Sequence, residues 1–463
     1  MPEDGARTDG SPGWRGRLRG IVAAYAGFQP DARRFLLVTL VVGAAQSLYW
    51  VDFNLYLGSL GLSNSFVGVV AAVGSLAAML AAFPASAASD RVGRRPVLLA
   101  GVALTVVATA GLVAVTEPAA IILLAAILAA GQQAFAVVTV PYMTEHSTRE
   151  HRAELFAAQY ATMTFTGVGA AILGAVVAAV ASSVWGLQSG DPGVYRILLA
   201  IMVAFGVVGF GVLLTLRDDR PRRPRPRTAE RRAGDALGGE PIPMRPDRAR
   251  PRTLSRVGIV VHDRELFFKL LFPGFLTALG AGQVIPFLNV FVQNKFDLSL
   301  ASLNLVFAIS ALGTTLAILL QPILARRVGK VGSVVLVQSV SIPFIAVLGF
   351  SPILWTVVVA LAVRNSLMNA GSPMITAFSQ EQVRPDERAT LAAAQNVLWS
   401  LGWVIAGLWY GVLQAALGFE TGYTVAFVTI TVLYSVATAL YWLWFRDAER
   451  PVTVQKRTIG GAA

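Results

Sequence analysis

Runs of about twenty apolar residues recur along this chain, and that recurrence constrains its fold more than any other feature. A bilayer core ~30 Å thick offers no water to backbone N–H and C=O groups, so a crossing segment must satisfy them internally. A helix of about 20 residues does so. Such runs lie near residues 35–58, 66–88, 96–115, 119–143, 154–181 and 195–216, then near 266–293, 302–324, 331–350, 353–378, 389–416 and 423–445. They are numbered spans 1 to 12 below. The expected fold class is an all-α integral membrane protein with twelve transmembrane helices. With 55% hydrophobic and 14% charged residues, the chain has too few charges to cover an ordinary soluble protein.

Where the charges lie gives the direction. Lys and Arg number 38 against 26 Asp and Glu, a formal charge of +12. If the N-terminus, the even-numbered loops and the C-terminus share one face, that face holds all of the cations except Arg196, Lys269, Lys295 and Arg364. The positive-inside rule then makes both termini cytoplasmic, in a plasma membrane. The expected parts are a cytoplasmic segment 1–34, a first six-helix bundle 35–216, a basic linker 217–264, a second bundle 265–446 and a cytoplasmic tail 447–463. The first apolar run begins too far in, and is too long, for a cleaved signal peptide. Residues 13–27 mix Arg with apolar side chains and fit either the membrane surface or a free basic tail.

The linker alternates Arg with Pro, as in Arg220-Pro221-Arg222-Arg223-Pro224-Arg225-Pro226-Arg227. Proline and like-charge repulsion oppose a packed core, so the expected partner is anionic lipid headgroups rather than nucleic acid. Cysteine is absent, which removes disulfides, thiolate metal sites and catalytic thiols. His146, His151 and His262 fall in connecting segments, and no phosphate-binding loop occurs. No metal, cofactor or enzymatic constellation is expected, nor energy from bound ATP. A monomer is expected.

The chain also repeats itself. Displaced by 236 residues, Ser63 meets Ser299, Gly93 meets Gly329, Glu145 meets Glu381, Arg152 meets Arg388, and Ala157-Ala158-Gln159 meets Ala393-Ala394-Gln395. These are rare polar or glycine positions in apolar sequence, so the constant offset predicts two pseudo-symmetric halves of one fold. Repeats with an even number of crossings share their topology and are related by an axis along the membrane normal, one of the arrangements transporters use.

After span 2 the chain reads Ser86-Ala87-Ala88-Ser89-Asp90-Arg91-Val92-Gly93-Arg94-Arg95-Pro96. It resembles the G-x-x-x-D-R-x-G-R-R loop of the major facilitator superfamily, with Ser86 at the usual Gly. The second copy, Pro322 to Lys330, has Arg326 in place of the acid. The resemblance implies a gate on the cytoplasmic side built from Asp90, Arg91, Gly93, Arg94 and Arg95, with Glu145, Arg152, Glu381 and Arg388 as a partner network. The plainer alternative is a set of topology-setting charges. Two marks of the superfamily's drug/proton antiporters are missing. Ile127 stands where span 4 would carry Arg, and the Gly167–Gly174 series of span 5 lacks proline.

A charge inside a span costs at least ~2.5 kcal/mol on insertion scales, which singles out Asp52 in span 1 and Arg364 in span 10. At ~1.5 Å per residue the two lie at similar depths. The resemblance implies that spans 1, 4, 7 and 10 line one central cavity. Asp52 is then the candidate proton-coupling group, and Arg364 the anchor for an anionic or polar substrate group or the countercharge that tunes Asp52; the alternatives are a static ion pair that fixes helix packing and an Asp52 close enough to the outer surface to be solvated. Other candidate substrate-binding residues are Gln46 and Tyr49 (span 1), Gln132 and Gln133 (span 4), Gln159 (span 5), Gln283 and Asn289 (span 7), Asn365 and Asn369 (span 10), and Gln395 and Trp399 (span 11). Trp403 lies one turn beyond Trp399. Each polar side chain has packing between helices as its alternative.

The function expected from these features is proton-coupled secondary transport of a small amphipathic molecule by alternating access, as an antiporter, with efflux favoured. Import of a polar or anionic nutrient and lipid flipping are alternatives within the class. A sensor that kept the fold without transport is the alternative outside it.

Overall fold

The computed structural model describes residues 27–148, 152–188, 190–217, 261–384 and 387–446. The 1–26 segment, His151, most of the basic linker and the 447–463 tail lie outside the described residues, as do the side chains of Arg152 and of 315–328. The first half is α1 (Pro30–Ser59), α2 (Asn64–Val92), α3 (Arg94–Ala114), α4 (Pro118–Glu145), α5 (Arg152–Trp185) and α6 (Pro192–Leu214). The second is α7 (Arg264–Gly282), a 3-10 turn (Ile285–Phe287), α8 (Leu288–Phe296), α9 (Leu300–Val328), α10 (Lys330–Phe350), α11 (Leu354–Gln382) and α12 (Arg388–Phe445). No strand occurs among the described residues.

Among the described residues, nine helical stretches are long and apolar enough to cross a membrane. One of them, Thr390–Phe445, has 56 residues, more than twice what a single crossing needs. It breaks at Gly418 (φ 70°, ψ −172°), where a loop between spans 11 and 12 was expected. Span 7, expected as one run, is interrupted between α7 and α8. Pro286 sits in the interruption, has no N–H to give, and cannot continue the i to i−4 ladder.

The helix boundaries obey the 236-residue offset. α2 starts at Asn64 and α9 at Leu300, α3 at Arg94 and α10 at Lys330, α4 at Pro118 and α11 at Leu354, α5 at Arg152 and α12 at Arg388. Local chemistry repeats with them. Ser63 Oγ accepts from the Phe66 N–H at 3.3 Å to cap α2, and Ser299 Oγ accepts from the Ser302 N–H at 3.2 Å to cap α9. Gly93 (φ 102°, ψ 166°) and Gly329 (φ 78°, ψ 170°) make the same sharp joint between helices, in a region that only glycine enters without strain.

Within the halves, α1 packs on α5 and α6, α3 on α4 and α6, α7 on α12, and α11 on α9 and α10. Between them, α2 packs on α12 and α5 on α9. The offset converts α2 into α9 and α5 into the first part of α12, so the two inter-half contacts exchange with each other, as a pseudo-twofold requires. Both are close. A Cβ at Gly68 of α2 would meet Gly411 N at 2.8 Å, and one at Gly174 of α5 would meet Asn304 Oδ1 at 2.8 Å. Residue 68 is the repeat mate of 304, so the same point of each half is pressed against its partner. Small residues let helix backbones approach where lipid gives no hydrophobic drive for association.

Candidate functional site: a cavity between the halves

The molecule has two distinct ends, one carrying the Gly61 turn and the α9 N-terminus, the other the Asp90 loop and the first and last described helix termini. The inter-half hydrogen bonds made by Asn54, Asn289 and Asn304 all lie toward the Gly61 end. Asn54 Nδ2 of α1 donates to Pro286 O at 2.6 Å, and Asn289 Nδ2 of α8 donates to Val51 O at 2.6 Å. The exchange is reciprocal, and it satisfies a carbonyl freed where span 7 unwinds. The third bond runs from Asn304 Nδ2 of α9 to Asp52 Oδ1 of α1 at 3.3 Å.

At the Asp90 end, Arg94 and Arg95 bond within the first half. Arg94 donates to Asp90 Oδ1 at 2.5 Å, to Ser89 Oγ at 2.7 Å and to Glu145 Oε1 at 2.9 Å. Arg95 donates to Leu213 O at 3.2 Å and Leu214 O at 2.6 Å, closing the C-terminus of α6. Arg91 is exposed, and Gly93 is the joint described above. Arg388 donates to Gln380 O at 3.0 Å. Glu381 is exposed near the end of α11, and Arg152 begins α5 with its side chain outside the described residues.

Between the two ends lies a cavity of about 240 Å³. From α1 come Gln46, Tyr49, Trp50, Phe53 and Asn54, from α4 Gln132 and Gln133, from α2 Ser75, and from the second half Pro286 and Trp403. The α1 residues follow the i, i+3, i+4, i+7, i+8 spacing of one helical face. Of the candidates from sequence, Gln46, Tyr49, Gln132 and Gln133 are thus brought together. Trp399 stands beside Trp403 at 6.3 Å between ring centroids.

Asp52 and Arg364 are not brought together, contrary to the expectation of one shared space. At 100° per residue, Asp52 points roughly 130° round α1 from the cavity face. It is buried against α9, its ionisable neighbour being Tyr195 of α6, and among the described residues it has no ion-pair partner. Arg364 is buried within its own half. It donates to Asn365 Oδ1 and to the Tyr434 hydroxyl, both at 2.9 Å, with the Tyr434 ring centroid 5.7 Å away. Depth along a helix can be counted from sequence, but direction around it cannot when both faces are apolar.

The remaining candidates pack. Asn365 donates to Ser310 Oγ at 3.0 Å, and Asn369, exposed, donates to Asn365 O at 2.8 Å. Gln283 is buried with its Nε2 3.4 Å from Leu279 O, and Gln159 reaches Met163 Sδ at 3.9 Å. Gln395 is half-buried outside the cavity lining. Sequence reasoning did not single out Trp50, Asn54, Pro286 or Asn304. The last was legible as the polar residue one turn into α9, offset by 236 from Gly68.

Two repeat-related helical halves, with a cavity lined by residues of both, form the kind of two-repeat scaffold that membrane transporters use. The chain belongs to the Major Facilitator Superfamily, whose family model matches residues 35–407. Among solved structures, a mutant of the nucleoside transporter NupG is 14% identical with a TM-score of 0.69, covering 90% of this chain and 100% of that one. A bacterial homologue of the human lysosomal transporter Spinster, captured inward-facing and occupied, is 16% identical with a TM-score of 0.64, covering 93% and 97%. A D-xylose-proton symporter is 14% identical with a TM-score of 0.66, covering 88% and 97%. At these identities the likeness is one of fold. No curated protein matches the chain.

Proposed function

We propose that this protein is a proton-coupled secondary transporter in the plasma membrane, with both termini cytoplasmic, and that the arrangement described is its inward-facing state. The Gly61 end is then the outer end, held shut, and the Asp90 end faces the cytoplasm. The observation that carries the coupling is a pair of oxygens. Among the described residues, Asp52 Oδ2 and Asn304 Oδ1 are both buried acceptors without a donor, in side chains already joined by one hydrogen bond. An orphaned buried acceptor costs about 1–3 kcal/mol. A proton on Asp52 turns the carboxylate into a donor beside the Asn304 carboxamide, and so favours closure of the outer end.

In this cycle Asp52 takes a proton while the outer end is open, the halves close over it, and the cavity becomes accessible from the cytoplasm. Asp52 lies off the cavity lining, so proton and substrate are held at once, which is the requirement for co-transport. Efflux by exchange needs the two to exclude one another. The Asp90, Arg94 and Glu145 cluster is free in this state to meet the other half when the cytoplasmic end closes.

The natural absence of cysteine gives the test a clean background. A Ser75→Cys reporter in the cavity is labelled with a membrane-impermeant maleimide in vesicles of either orientation. Labelling from the cytoplasmic side at low pH, with outer-side labelling growing as pH rises, supports the cycle. Sidedness that ignores pH, with Asp52 intact, refutes it.

A further inference from the structure

Resting on the transporter reading, we infer that the cavity takes an uncharged, flat aromatic molecule carrying an amide-like hydrogen-bonding edge. Among the described residues, no Asp, Glu, Lys, Arg or His side chain lines it. An ion seated there would give up its water for no countercharge, and the buried cation Arg364 is outside the cavity lining, engaged by Asn365 and Tyr434.

The wall has two components. Tyr49 and Phe53 stack on each other with centroids 4.6 Å apart. Trp50 of the first half meets Trp403 of the second edge-on at 5.9 Å. Flat π-systems bind such walls by offset stacking or edge contacts. The carboxamides of Gln46, Gln132 and Gln133 are the second component, and none of them hydrogen-bonds to another described group. Each offers both a donor and an acceptor, the complement of an amide, lactam or pyrimidine-type edge. Trp403 adds an aromatic ring to the wall from the second half. Asn54 is held in place by the N–H it gives to Pro286 O. A volume of about 240 Å³ seats one or two fused rings.

The placement also makes the ligand a bridge. Carboxamides on α1 and α4 belong to one half and Trp403 to the other, so an occupant touching both favours the arrangement in which they converge.

The test uses the purified full chain and three isosteres of one bicyclic ring: naphthamide (neutral), naphthoate (anionic) and naphthamidine (cationic). Binding is followed by tryptophan fluorescence and by thermal shift. The expected result is that naphthamide binds at least about tenfold more tightly than either ion, and that Gln133→Leu erases the preference. Equal or tighter binding of an ion, or no binding of naphthamide, overturns the assignment. The Ser75→Cys labelling experiment needs no ligand, so failure here is separable from failure of the transporter reading. If Gln133→Leu does not fold, the ranking of the three isosteres on the unaltered chain still decides the question.

Discussion

Asn304 on α9 donates its side-chain N–H to the Asp52 carboxylate on α1 at 3.3 Å, a bond between two buried residues of different repeats. It is short of one hydrogen, since Asp52 Oδ2 and the Asn304 carbonyl Oδ1 both lack a donor among the described residues. Asp52→Asn supplies that hydrogen permanently, in a side chain of the same shape. The variant should stay closed at the Gly61 end at every pH. Its melting temperature should rise in detergent, while proton-driven accumulation in proteoliposomes falls by about tenfold or more, an equilibrium bias of at least ~1.4 kcal/mol. Asn304→Leu should lower both. Accumulation by Asp52→Asn that still follows the proton gradient would remove the carboxyl from the mechanism.

The second inter-half contact predicts the opposite bias. A Cβ at Gly68 would lie 2.8 Å from Gly407 O and Gly411 N, and these are backbone atoms that cannot swing aside. Gly68→Leu should therefore push α2 from α12 and open the Gly61 end, seen as outer-side labelling of Ser75→Cys at low pH. Gly169, on α5, has nothing within 4 Å of its Cβ position, so Gly169→Leu should leave sidedness unchanged.

Gly93 joins α2 to α3 at φ 102° and ψ 166°. An L side chain there costs about 1–3 kcal/mol. Gly93→Ala should lower the denaturation midpoint accordingly, and it should displace Arg94 from Glu145 and Asp90. Gly329→Ala should cost a similar amount in the second half, where the joint has φ 78° and ψ 170°. That outcome would show the joint to be structural in both halves, whatever the gate does.

The repeat was legible in the sequence because its landmarks are polar or conformationally special, and such residues keep their register. Ser63 and Ser299 cap equivalent helices, and Gly93 and Gly329 bend equivalent joints. One landmark kept its geometry without its identity. Gly61 (φ 77°) has Asp297 (φ 49°) as its repeat mate, both left-handed, and an identity-based comparison passes over it. The cavity was half legible. Gln46, Tyr49, Gln132 and Gln133 stood out as polar groups within apolar runs. The pairing of Asp52 with Arg364 did not survive, because equal depth says nothing of azimuth. In a membrane helix the lipid face and the core face are both apolar, so periodicity does not orient it. Trp50 illustrates the same limit. Half exposed, it reads as a lipid-facing aromatic, yet it borders the cavity and contacts Trp403.

Where the second half begins, the backbone at His262 is tied to a buried carboxylate. Glu387, just before α12, is buried, and burial alone would raise its pKa. The carboxylate nevertheless accepts from the backbone N–H of His262 at 2.6 Å and of Arg384 at 3.2 Å, and it lies 3.1 Å from His262 Nδ1. These donors outweigh the burial and hold the carboxyl below the usual glutamate range. A carboxylate depressed in the folded state contributes stability above its unfolded value, ~4.3, and loses it as pH falls through the lower folded value. The melting temperature of the unaltered chain should therefore decline on acidification from about pH 5 downward. Glu387→Gln should be less stable than the unaltered chain at neutral pH and should lack that part of the decline, so the two curves converge in acid. Parallel curves from pH 7 to pH 3 would mean that Glu387 contributes only as an uncharged cap for the segment that begins at His262.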